Sequence, residues 1–336
     1  MRSQLEQQIV DASDVAVARS IFGTADVDAI SDLLDRYCQA VFKRAIAACT
    51  FAYISVGATV VVQLTDGTKV VLKAYGQRHS PKALTASFGL QKALAETGFP
   101  CPEVLQLPQP FDATLLTAQT FCDPGERVKS NAANISHTMA RYLAQLIRQA
   151  KSYPHHDLPI WMEMDRDQLW HQPHSVLFDF EKTATGAEWI DQIALWAKQI
   201  LREATGPWVI GHSDWSLQNM SFCQGQLTCV YDWDSLRVGL EPCFVGGAAR
   251  CYRHDWRYGP PETAISIAEA QGFINIYESE RGQPFSLEEY RILGAALVYT
   301  AAYGLRCTHA IKQSDHLHYE NSRRQLLQFT DYFLKH

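Results

Sequence analysis

The sequence predicts an α+β protein of two lobes: a small antiparallel-sheet lobe carrying one helix, then a larger and mostly helical lobe. Three observations support this. Residues 53–64 and 69–75 are two β-branched, apolar runs around Thr65-Asp66-Gly67-Thr68. An Asp-Gly between two such runs is a strong hairpin signal. Beyond Asp123-Pro124-Gly125, apolar residues recur at helical rather than strand spacing. Between the hairpin and that break lies one helix-like stretch followed by two more strand-like runs.

Taken in order, residues 1–50 read as a helical extension. Asp26 or Asp28 is placed to cap a stretch in which Ile30, Leu33, Leu34, Tyr37, Val41 and Ile46 share a face. Residues 51–120 form the sheet lobe. Its helix runs from about residue 81 to 96 and is stopped by Gly98, Pro100 and Pro102, with further strands at 104–107 and 114–121. Residues 121–336 form the helical lobe. Ile135, Met139, Tyr142, Leu143, Leu146 and Ile147 make one amphipathic face, and residues 189–200 make another. Two short strands around Phe222 and Val230 flank a Gln224-Gly225-Gln226 turn, and helix dominates from about residue 262. A sheet lobe joined to a helical lobe places a cleft at the junction.

Composition narrows the function. With 336 residues, 47% apolar and 20% charged, the chain buries a sizeable core. A formal net charge of −6 offers no basic stripe for nucleic acid. The longest apolar runs are too short to span a bilayer, and the N-terminus lacks a signal-peptide layout. The 9 cysteines are scattered, odd in number and never spaced C-x-x-C, which argues for reduced thiols in a cytoplasm. No feature reports an oligomeric state.

The chemistry concentrates in Val209-Ile210-Gly211-His212-Ser213-Asp214-Trp215-Ser216-Leu217-Gln218-Asn219-Met220 and in Tyr231-Asp232-Trp233-Asp234. This is a carboxylate, an amide five positions on, and a second carboxylate returned beside that amide by a hairpin. Phosphoryl transfer needs such a set. One carboxylate accepts the acceptor hydroxyl's proton, and hard oxygen ligands hold magnesium against the phosphates. Asp214 suits the first role, Asn219 and Asp232 the second. Each residue taken alone is an ordinary turn former; their order, spacing and strand context favour the functional reading.

His-x-Asp-x-x-x-x-Asn followed by an apolar-Asp-Trp-acidic motif resembles the aminoglycoside phosphotransferase and choline-kinase-like group, relatives of the protein kinases. The resemblance covers about residues 51–310 and implies the bilobal protein-kinase-like fold. It implies transfer of the γ-phosphate of ATP or GTP to a hydroxyl of a small molecule, with magnesium. In that group Asp214 would be the base, Asn219 and Asp232 the metal ligands, and His212 a structural support. Ser213 stands where the family has Gly. Lys73, closing Val-Val-Leu-Lys, corresponds to the phosphate-pairing lysine. Ser55, Gly57 and Thr59 lie where the family has its nucleotide-covering turn. The segment from Gln119 to Cys122 occupies the hinge whose backbone holds the base edge.

One departure stands out. The helix after Lys73 carries Ala86 and Ser87 where relatives carry a lysine-pairing Glu, and Glu96 lies too late. Either another residue such as Gln91 orients Lys73 or nucleotide binding is weakened, which keeps a nucleotide-binding pseudokinase as the alternative. Trp208, Trp215 and Trp233 read as packing, with Trp215 a candidate for the substrate face. The basic and aromatic run from Arg250 to Tyr258 reads as a helix end and solvated loop rather than a substrate rim. Acids and bases balance from Leu236 onward, so nothing marks a polycationic acceptor.

Overall fold

The computed structural model describes every residue except 124, 127, 129–133, 155, 165, 166, 176, 256, 258–263, 312–315 and 336. The chain divides into two units: Met1–Asp123 with His174–Leu177, and Pro124–Pro173 with Phe178–His336.

The first unit opens with helices α1 (Arg2–Glu6), α2 (Ala12–Phe22) and α3 (Val27–Phe42). Asp11 and Asp14 form a capping box on α2, and Asp26 caps α3 by accepting the Asp28 and Ala29 N–H groups. Helix α3 stops at Lys43, which takes a left-handed φ of 58°. Strands β1 (Ile46–Ile54), β2 (Ala58–Leu64) and β3 (Lys69–Tyr75) follow, then helix α4 (Pro81–Glu96), then β4 (Val104–Phe111) and β5 (Thr114–Thr120). They form an antiparallel sheet in the order β1-β2-β3-β5-β4. Ile46, assigned from its periodicity to the helix, instead pairs with Leu64. The left-handed turn at Lys43 breaks the helix before it, and the Ile46 N–H donates to Asp35.

Strand alternation gives the sheet two faces. Val60, Val62, Val70, Leu72, Leu116 and Ala118 are buried with Val17, Ile21, Phe22, Ile30 and Leu33 of the N-terminal helices. Helices α1, α2 and α3 thus pack on one face of the sheet. Each fully buried Val, Leu, Ile or Phe there contributes roughly 1.5–3 kcal/mol. The opposite face carries Thr59, Val61, Val71, Lys73, Tyr75, Thr117 and Gln119. Helix α4 packs there through Leu84 and Phe88 against Tyr75 and Leu115, and through Gln91, whose amide donates to Gln119.

The second unit contains α5 (Ile135–Ala150), α6 (Glu188–Glu203), β6 (Trp208–His212), β7 (Met220–Cys223), β8 (Gln226–Val230) and β9 (Leu236–Leu240). Helices α7 (Glu241–Ala249), α8 (Ile267–Arg281), α9 (Leu287–Ala310) and α10 (His316–Phe333) complete it. Helix α9 is buried along most of its length and packs on α6, α7 and α10. Strands β6 and β9 pair, as do β7 and β8, both antiparallel. Segment 159–161 adds to β9 through Trp161 N–H to Val238 and Val238 N–H to Pro159. Among the described residues no helix is long and apolar enough to cross a membrane.

Candidate active site

Strand β6 ends at His212, and a single 3-10 turn, Leu217–Asn219, leads into β7. His212 is 1% exposed and ties this loop down through both ring nitrogens. Its Nδ1 accepts the Asp214 N–H at 3.2 Å, so Nε2 carries the proton and donates to the Tyr231 carbonyl at 3.1 Å. Trp215 and Trp233 stand edge-on to the imidazole, at 5.6 and 6.5 Å between centroids. Ser213 donates both its N–H and its hydroxyl to the Ser235 carbonyl, each at 2.9 Å. The side chain that departs from the family's Gly therefore adds a bond to the turn after Asp232.

The Asp214 carboxylate is held on one side. Its Oδ2 accepts from Asn219 Nδ2 at 2.8 Å and from Gln218 Nε2 at 2.9 Å, while among the described residues Oδ1 meets only the Ser216 hydroxyl, at 3.3 Å. Asn219 Nδ2 also donates to the Asp214 carbonyl at 2.9 Å. A carboxylate can only accept, so these contacts fix the amide flip and turn Asn219 Oδ1 away from Asp214. The Asn219 carbonyl accepts the Tyr231 N–H at 2.8 Å, and the β7–β8 hairpin returns the chain to Asp232. Gln224 and Gly225, with φ of 50° and 73°, make that turn.

Asp232 itself adopts a left-handed conformation, φ 64° and ψ 45°, which Asp tolerates better than most residues. Ser235, three residues on, stabilises it by donating its hydroxyl to Asp232 Oδ2 at 2.7 Å and its N–H to the Asp232 carbonyl at 2.9 Å. Arg237 donates to the carbonyls of Asp234 and Leu236. Burial pulls its guanidinium below the ordinary value, and Asp234, Asp232 and Glu163 oppose that shift. An outward-turned amide oxygen and a carboxylate on adjoining backbone are hard donors of the kind magnesium takes, so these residues fit that ion.

Of the three tryptophans expected to pack, Trp215 and Trp233 do so, each 1% exposed. The Trp215 indole N–H donates to the Met139 carbonyl at 2.9 Å, which keeps it off a substrate face. Trp208 is instead 50% exposed and does not fit the packing expectation. The run from Arg250 is not a solvated loop either. Cys251, Tyr252, Arg253 and His254 are all buried. The Tyr252 carbonyl accepts the Leu217 N–H, the His254 carbonyl accepts the Gln218 N–H, and Arg257 Nη2 donates to the Leu217 carbonyl. This segment braces the loop that carries Asp214; residues 256 and 258 of the run lie outside the described residues. The fractional content of basic residues was legible, but three carbonyl and guanidinium contacts between distant segments were not. Gln218 was also missed, because its neighbour Asn219 carried the whole motif signal. Ser235 had a readable signal in its spacing of three from Asp232.

In the first unit, Lys73 is half-buried on the open sheet face, in register with Thr59 of β2 and Thr117 of β5. Its Nζ lies 5.6 Å from the Tyr75 ring centroid. Ser55 and Gly57 form the β1–β2 turn, with Ser55 N–H donating to the Gly57 carbonyl. A Cβ on Gly57 would lie 3.0 Å from the Ala74 carbonyl, so the turn lies against β3. Gln119 is an internal sheet residue between Val71 and Val104, whereas Cys122 lies beyond the end of β5. Gln91 does not orient Lys73. Its amide donates to the Pro102 carbonyl at 2.7 Å and to Gln119 Oε1 at 3.1 Å, and its Oε1 has no hydrogen-bond partner among the described residues. It braces α4 against β5.

The sequence model of the phosphotransferase enzyme family matches residues 51–262. No curated protein matches the sequence. Several solved structures share the fold. An amicoumacin kinase in complex with AMP-PNP, Ca2+ and Ami has a TM-score of 0.61 at 13% identity, covering 89% of this chain and 93% of its own. A microcompartment-associated aminopropanol kinase scores 0.60 at 16% identity, covering 90% and 98%. Spectinomycin phosphotransferase in complex with ADP and spectinomycin scores 0.52 at 13% identity, covering 90% and 93%. The architecture is therefore the protein-kinase-like one: a small sheet unit and a helical unit.

Proposed function

The chain belongs to the phosphotransferase enzyme family, and from that premise we propose that it moves the γ-phosphate of ATP or GTP to a hydroxyl of a small molecule. The observation that carries this reading is the loop in which Asn219 holds Asp214 and is itself bonded, through its carbonyl, to the residue before Asp232. Asp214 takes the acceptor hydroxyl's proton and aims its oxygen for in-line attack. Asn219 Oδ1 and the Asp232 carboxylate would hold magnesium, which when bound supplies neutralising charge to the phosphates.

Lys73 pairs with the phosphates, the backbone of Ser55, Gly57 and Thr59 covers them, and the chain from Gln119 to Cys122 receives the base edge. Val61 and Val71, beside one another on the same sheet face, add an apolar surface for the base. The acceptor is a hydroxylated metabolite or antibiotic. All 9 cysteines are free thiols, which suits a reducing cytoplasm.

The test is a thermal-shift titration with ATP and GTP, with and without magnesium, on wild type and Asp232→Asn. A magnesium-dependent rise lost in Asp232→Asn supports the reading. No rise with either nucleotide at millimolar concentration refutes it. A rise without turnover on any hydroxylated acceptor would favour the second reading, a nucleotide-binding pseudokinase. The observation behind that second reading is that α4 carries Ala86 and Ser87 where the resemblance places a lysine-pairing acid.

A further inference from the structure

We infer that Gln218 is a positioning residue for the Asp214 base, selecting which carboxylate oxygen meets the acceptor hydroxyl. The inference rests on the phosphotransfer reading above.

A carboxylate acting as a base must offer one free lone pair in one direction, yet rotation about its terminal torsion is soft. Something must therefore distinguish the two oxygens. In this site the distinction is strong. Oδ2 receives two amide donors, Asn219 Nδ2 at 2.8 Å and Gln218 Nε2 at 2.9 Å, and Oδ1 receives one hydroxyl at 3.3 Å. Bonds to an ionised oxygen at the shorter distances are the strong ones. Oδ2 is thereby occupied, and Oδ1 is the oxygen left to take a proton.

Gln218 makes this selection in a way Asn219 alone does not. Asn219 shares its amide N–H groups between the Asp214 carbonyl and Oδ2. Gln218 supplies the second donor to Oδ2, with its own backbone fixed from outside the loop. Its N–H donates to the His254 carbonyl at 3.1 Å. The preceding residue, Leu217, is held at both ends of its peptide, by the Tyr252 carbonyl and by Arg257. The segment that supplies the Tyr252 and His254 carbonyls and the Arg257 guanidinium is therefore what sets the reach of the Gln218 amide. The Gln218 side chain is half-buried, and among the described residues its hydrogen bond is to Asp214.

The experiment compares Gln218→Met, which keeps length and loses the donor, Gln218→Glu, which adds a like charge, and Gln218→Lys, which restores a donor. MgATP hydrolysis, with water as the acceptor, gives kcat and KM, and melting gives stability. The expected result is a kcat about tenfold lower for Met, lower still for Glu and largely recovered for Lys. KM for MgATP and the melting temperature stay within error, and Gln218→Met adds nothing in an Asp214→Ala background. Equal kcat values for Met and Lys, or a loss that follows the melting temperature, overturn the proposal. Failure of wild type to hydrolyse or transfer phosphate under any condition sinks the phosphotransfer reading instead. In that event the Gln218 side-chain amide resonance still decides the contact: it moves in Asp214→Ala if the amide is bound there, and an unmoved resonance overturns the inference.

Discussion

The open face of the five-stranded sheet and the loop between β6 and β7 hold their functional groups by opposite means. On the sheet, Lys73 stands where strand alternation puts it, between Thr59 and Thr117, and the backbone ladder fixes its position. In the loop almost no backbone is regular. His212, Ser213, Gln218, Asn219 and Ser235 fix Asp214 and Asp232 by side-chain hydrogen bonds. The difference teaches where substitution hurts. A group on a ladder tolerates changes beside it, whereas a group in an irregular loop depends on every side chain that replaces the missing ladder bonds.

Four substitutions sharpen or break that contrast. The largest effect is expected from Asp214→Ala, which lowers turnover by about a hundredfold or more while the nucleotide-induced thermal shift persists. Coupled measurement of ADP release reads it, and a variant with near-wild-type rates removes Asp214 from the base role. His212→Phe comes next. It leaves the Tyr231 carbonyl and the Asp214 N–H without their buried partner, at roughly 1–3 kcal/mol each, and displaces Asp214 as well. Denaturant unfolding together with kcat should show both losses; a stable, active variant would mean the loop holds its shape without the imidazole.

On the sheet, Lys73→Met should raise KM for nucleotide by about tenfold with little loss of stability, because the ladder remains. A destabilised Lys73→Met would break the comparison from the other side.

The smallest effect concerns pH. Burial first, then Arg250, Arg253 and His318, push the His254 imidazole down from 6.5 to about 3. A depressed pKa means stability present above about 6.5 that is lost as pH falls toward 3. The loss is at most about 2 kcal/mol between pH 7 and pH 5. Melting curves at the two pH values should diverge less in His254→Gln than in wild type, and equal divergence would remove His254 as the cause.

Much of the fold was legible because local rules acted alone. The stretch from Pro81 to Glu96 carried Pro at its first turn and a breaker beyond its end, and it is the observed helix α4. The Asp66-Gly67 turn sits where expected because its chemistry is local to four residues. Ile46 was misassigned because an apolar residue fits a helix face and a strand equally well, and only the left-handed Lys43 separates them.

At the site, residue types and spacing pointed to Asp214, Asn219 and Asp232 as one set, and the β7–β8 hairpin brings Tyr231, the residue before Asp232, back onto the Asn219 carbonyl. The tertiary structure decided how the site is held. It buried Cys251, Tyr252, Arg253 and His254 against the loop, turned Trp215 inward, gave the Gln91 amide to Pro102 and Gln119, and set the Gln218 amide on Asp214. The physical reason is range. Turn chemistry and periodicity act over a few residues and can be read along the chain. A carbonyl at Tyr252 meeting an N–H at Leu217 is decided only when helix packing has placed both.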